Sequence, residues 1–113
     1  SIIKDDPLGA EAIFKKGLTN FNNDFWLNLN TGYNAFFELK KKKEGVFYYT
    51  KALETAESTK YNSHLPFFLT HYFISKDNNI RAIQILKLSY KNSKDPSLKE
   101  AILKKINKLK KSL

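Results

Sequence analysis

Small and large apolar side chains recur at helical spacing along most of this chain. In FYYTKALETAE, residues 47 to 57, Ala52, Leu53 and Ala56 follow Tyr49 along one narrow strip, at the three- and four-residue steps of a helix that buries one face. Two further stretches, DDPLGAEA and KDPSLKEA, place an aspartate before Pro7 and before Pro96. Both read as helix starts, because the carboxylate accepts unpaired N–H groups of a first turn and proline needs no donor there. These signals predict helices over about 7–20, 24–40, 44–57, 62–75, 78–92 and 96–111. Their expected packed positions are Ala10, Phe14, Gly17, Leu18 and Phe21 on the first and Trp26, Leu29, Tyr33 and Phe36 on the second. On the fourth they are Leu65, Leu69, Tyr72 and Phe73, on the fifth Ala82, Leu86, Ser89 and Tyr90, and on the sixth Leu98, Ile102, Ile106 and Leu109. No stretch alternates with period two for long enough to make a strand, so the expected fold class is all-α.

Laid over one another, the first, third and fifth helices share a register. Ala10, Gly45 and Ala82 align, then Phe14, Tyr49 and Leu86, then Gly17, Ala52 and Ser89, then Leu18, Leu53 and Tyr90, at offsets of 35 and 37 residues. Small side chains let helix axes approach and large ones fill the grooves between them, so a repeated small, large, small, large order implies one packing made three times.

This pattern resembles the tetratricopeptide repeat (TPR). The second-helix positions of that family match Gly45, Tyr49 and Ala52, with Leu53 following, and match Ala82, Leu86 and Ser89 less closely. Its first-helix positions correspond to Leu29, Gly32 or Tyr33, and Phe36 in one repeat, and to Pro66, Leu69, Thr70 and Phe73 in the other. Trp26 lies one turn earlier than the family's tryptophan. Its terminal proline is absent after the third helix, although Pro96 stands near that place after the fifth. The resemblance spans about residues 7–110 and implies stacked antiparallel helical hairpins in a right-handed superhelical array, with first helices lining a concave surface. Residues 1–113 then form one domain of about six helices, a whole array or a piece of a longer one. The last helix would cap it, with Lys99, Lys104, Lys105, Lys108, Lys110 and Lys111 on its wet face.

Composition changes this picture in two ways. The 113 residues carry 20 basic and 11 acidic side chains, a formal net charge of +9, which suits an anionic partner or a lysine-rich coding background. Cysteine is absent, which excludes a disulfide framework and a thiolate metal site. No run is long and apolar enough for a membrane span, and no signal peptide is recognisable at SIIKDD, whose lack of an initiator methionine fits a processed product or an excised piece. Localisation stays open between the cytoplasm and the cell envelope. Some relatives of this type are lipid-anchored envelope assembly subunits, a subgroup this chain resembles only in fold class and size.

Catalytic chemistry finds little support. His64 and His71 are the only histidines and nothing places a third metal ligand beside them, with Asp77 and Glu54 the nearest candidates. Ser63 beside His64 is proximity in sequence rather than a positioned nucleophile and base. Glu54 and Glu57 lie a turn apart without a recognisable cleft. We therefore expect no enzyme activity, metal or cofactor.

The resemblance implies a protein-binding scaffold that holds an extended peptide or a helix of a partner in its groove, within a multiprotein assembly. Helical phase puts Asn30, Tyr33, Asn34, Phe37, Thr70 and His71 on the groove side. Asparagine bonds a partner's backbone as donor and acceptor, and Tyr33 or Phe37 supplies an apolar anchor. The run Lys40, Lys41, Lys42 and Lys43 lies between the second and third helices, where lysines solvate a turn and complement a helix C-terminus. Its functional alternative is a basic module that binds nucleic acid or an anionic membrane surface. Against nucleic acid stand a single arginine, Arg81, the lack of a recognition motif and helical spacing that assigns most aromatics to the core. Peripheral membrane association through the last helix stays open.

Overall fold

Asp6, Asp24, Asn78 and Asp95 each begin a helix in the computed structural model, which describes residues 6–55 and 64–113. Among these residues it is all-helical, with six helices and no strand. They are α1 (Pro7–Asn20), α2 (Phe25–Tyr33), α3 (Lys42–Leu53), α4 (Leu65–Ser75), α5 (Asn79–Asn92) and α6 (Pro96–Lys110), and α2 runs directly into a π-helical turn, Asn34–Glu38. All six follow the sequence expectation closely. Ala56, Glu57 and Ser63 lie outside the described residues.

The cap side chains accept backbone N–H bonds at 2.8 to 3.0 Å, from Gly9, Leu27, Arg81 and Ser97 in turn. Asp24 also accepts through its carbonyl from the Asn28 side chain. Replacing Asp24 with Ala should cost about 1 kcal/mol in a urea melt, since the Leu27 N–H then loses its acceptor. A change under a few tenths would show that water replaces the cap.

Helix ends are set by two residues of positive φ. Asp77 (φ 56) closes α4 with paired bonds, its own N–H to Ile74 O and the Asn78 N–H to Phe73 O, the arrangement a left-handed residue makes after a helix. Lys40 (φ 59) ends the π-turn, where the Lys41 N–H reaches Ala35 O at 2.8 Å. Aspartate tolerates that conformation better than lysine does.

The chain divides into two compact units, Ser1–Thr55 and Ala56–Leu113. In the first, α2 and its π-turn pack against both α1 and α3. Its core holds Ala10, Leu18, Phe25, Ala35, Val46, Tyr49, Ala52 and Leu53. The α2–α3 crossing is tight at two glycines: a Cβ on Gly32 would stand 3.0 Å from Gly45 O, and one on Gly45 would stand 2.6 Å from Phe36 Cβ. The second unit packs α4 against α5 and α5 against α6. Ala82, Ile83, Leu86, Leu98, Ile102, Ile106 and Leu109 form its core, with Phe67, Phe73 and Ile74 against it.

Most of the repeated register is packed. Ala10, Gly45 and Ala82 are all buried, as are Tyr49 and Leu86, Ala52 and Ser89, and Leu18 and Leu53. Four expected packed positions are not, Tyr33 among them at 54% exposed. Phe21 is exposed just past the end of α1, and Tyr90 is 37% exposed with Lys99 Nζ 4.9 Å from its ring centroid. Trp26 is half-exposed while its neighbour Phe25 takes the core place. The buried strip of α2 includes Asn28 and Thr31, which a reading of apolar residues passes over. Their donors are met by local hydrogen bonds: Thr31 Oγ1 donates to Leu27 O at 2.6 Å, and Asn28 Nδ2 donates to Asn22 O and Asp24 O.

Candidate functional site

Turning Phe25, Asn28, Thr31, Gly32 and Ala35 inward leaves the opposite side of α2 to solvent. Trp26, Asn30, Tyr33 and Phe37 follow one another there at steps of four, three and four, one helix face. Trp26 is 50%, Tyr33 54% and Phe37 40% exposed, and Asn30 is exposed beside them. The Tyr33 and Phe37 rings lie 5.0 Å apart between centroids, and Phe37 continues into Phe36 at 4.8 Å. Phe36 in turn stands 6.4 Å from the buried Tyr49 ring. Burial pushes the Tyr49 hydroxyl up strongly, with a smaller contribution from Tyr33, so it stays neutral at physiological pH. The aromatic row is thus exposed at its outer edge and anchored to the core at its inner one.

Asn34 and Thr70 depart from their expected groove positions. Asn34 is buried in the π-turn, where its Nδ2 donates to Pro7 O at 2.8 Å and ties the start of α1 to the end of α2. Thr70 is buried too, its hydroxyl donating to Pro66 O at 2.7 Å one turn earlier. Both polar groups are consumed inside the fold. His71 is exposed on α4 in the second unit. Asn30, Tyr33 and Phe37 therefore share one surface of the first unit, and Trp26, whose spacing predicts a packed position, extends it.

The lysine run also sits differently from its sequence reading. Lys40 follows α2, Lys41 is the N-cap residue of α3, and Lys42 and Lys43 are the first residues of α3. The N-terminus of a helix carries partial positive charge, so Lys42 and Lys43 oppose the dipole rather than complement it. Glu44 in that first turn offsets part of the repulsion. Lys41 Nζ lies 3.1 Å from Glu11 and Lys42 Nζ 5.7 Å from the Phe36 ring centroid. The hydrogen bond from Lys41 lowers the Glu11 pKa, against a smaller opposing effect of burial, with the charge of Lys15 next in importance. Lys15 bridges Glu44 at 2.6 Å and Glu11 at 3.6 Å, and its bond to Glu44 is the main cause that raises its pKa. All four lysines of the run are exposed, and the run begins three residues beyond Phe37.

Among the described residues no three potential metal ligands of the His, Cys, Asp or Glu type converge, and no helix is long and apolar enough to cross a membrane. Comparison with known protein families, curated proteins and solved structures finds no match to this chain.

Proposed function

We propose that this chain is a non-enzymatic protein-interaction scaffold of TPR-like helical hairpins, which holds a peptide or helix of a partner protein against the outer face of α2. The exposed Trp26, Asn30, Tyr33 and Phe37 row carries this reading. Large aromatics provide most of the energy at protein interfaces, and three of them on one helix face are costly to leave in water unless a partner covers them. Asn30 among them offers a donor and an acceptor to a partner's backbone. Stacking of the hairpins into one right-handed array belongs to the same proposal and is supported by the register at offsets of 35 and 37 residues.

Changing Tyr33 and Phe37 together to Ala tests the docking face. Both side chains are substantially exposed, so the fold should hold, while affinity for proteins captured from native extract should fall about tenfold or more. Retention of the same proteins by the double variant would defeat the docking face. Material lost only on nuclease treatment, or on reversing Lys40, Lys42 and Lys43 to Glu, would favour the basic-module alternative.

A further inference from the structure

A second surface of the first unit has the makings of a ligand site. Between α1, the turn after it and α3 lies a cleft of about 320 Å³, at the lower end of the roughly 300–1,000 Å³ found for small-molecule sites. Lys15 and Thr19 line it from α1, Asn28 from α2, and Phe47, Tyr48 and Lys51 from α3. Phe47 is 56% exposed, and Lys51 Nζ stands 5.6 Å from its ring centroid.

Asn28 supplies the observation that points to a ligand. Its side chain is fully buried, and Oδ1 has no hydrogen-bond partner in the described structure. The amide cannot gain one by flipping, because Nδ2 already serves Asn22 O at 3.0 Å and Asp24 O at 2.9 Å and a flip would set oxygen against both carbonyls. A buried acceptor left unmade keeps its desolvation penalty with nothing to offset it. What it lacks is a donor.

We propose that this cleft binds a nucleotide unit, its base against Phe47 with an amino or ring N–H directed to Asn28 Oδ1 and its phosphate held by Lys51 and Lys15. One molecule then meets all three features. An inorganic anion would use the lysines and leave the ring and the acceptor unmet, while an apolar ligand would leave the cations and the acceptor unmet. Stacking on an exposed aromatic favours a base of any identity, since every base has a π-face. Because Asn28 is sealed beneath the surface, its bond forms as the side chains lining the cleft shift to admit the base. Lys15 shares its charge with Glu44 and Glu11, which makes Lys51 the principal phosphate contact. This site is independent of the α2 docking face.

The test is an amide NMR titration of the full chain with adenosine monophosphate, adenosine, inorganic phosphate and an eight-residue oligoadenylate. The monophosphate should shift signals of residues 15–28 and 47–51, the Asn28 side-chain amide included, and Phe47→Ala or Lys51→Ala should weaken it about tenfold. Adenosine and phosphate alone should each bind more weakly. Tighter binding of the oligomer would identify a single strand as the source of the nucleotide, and equal or weaker binding a free nucleotide. Unmoved signals with both the monophosphate and the oligomer would overturn the proposal, as would phosphate alone binding as well as the monophosphate or unchanged affinity in both variants.

Discussion

Gly45→Val should abolish stable packing of α2 and its π-turn against α3. A Cβ at this position would stand 2.6 Å from Phe36 Cβ and 2.9 Å from both Cα and N of Phe36. Two of these three atoms are backbone, so a rotamer change cannot clear the space; the helices must separate. Overpacking a core typically costs about 1–3 kcal/mol, and a branched side chain against backbone lies at or beyond the top of that range. Gly45→Ala gives a graded control, because alanine recovers about 1 kcal/mol of helix propensity while still placing a methyl group in the clash. Denaturant melts should rank the wild type above Ala and Ala above Val. Hydrogen exchange should show protection lost first over Phe25–Tyr33 and Lys42–Leu53. A stable Val variant with native protection of both helices would refute the close crossing.

The second large effect lies in the other unit. Leu86 is fully buried on α5, within the cluster that includes Ile102 and Ile106 of α6. Truncation to Ala removes the transfer energy of three carbons and leaves a cavity, a loss of about 2–5 kcal/mol. A small unit has few kcal/mol to spare, so the midpoint of urea unfolding should fall sharply. Leu86→Met, of similar volume, should cost less than about 1.5 kcal/mol. Similar midpoints for Ala and wild type would mean that the α5–α6 seam is not packed as described.

Sequence periodicity located the helices well because their starts are marked chemically. Asp6 with Pro7 and Asp95 with Pro96 cap α1 and α6 as expected, and the four apolar positions of α6 are all buried. The site was only partly legible. Phe37, expected outward, is exposed, and so is Tyr33, which the spacing lists both among packed positions and on the groove side, whereas Asn34 and Thr70, expected outward, are buried. Their inward turn depends on acceptors, Pro7 O and Pro66 O, that become available only when the backbone around them is built.

The chain by itself determined its helices, their small and large register and its excess of positive charge, since each follows from local spacing, capping and composition. Tertiary structure decided which side of α2 meets water. The buried Asn28 amide N–H groups and Thr31 hydroxyl donate to nearby carbonyls, and Gly32 and Gly45 allow α3 to come close, so Phe25 turns inward and Trp26 outward. It also placed Lys42 and Lys43 at the start of a helix instead of the end of one. Such outcomes depend on hydrogen bonds and close approaches between specific atoms, which the periodicity of apolar residues does not encode.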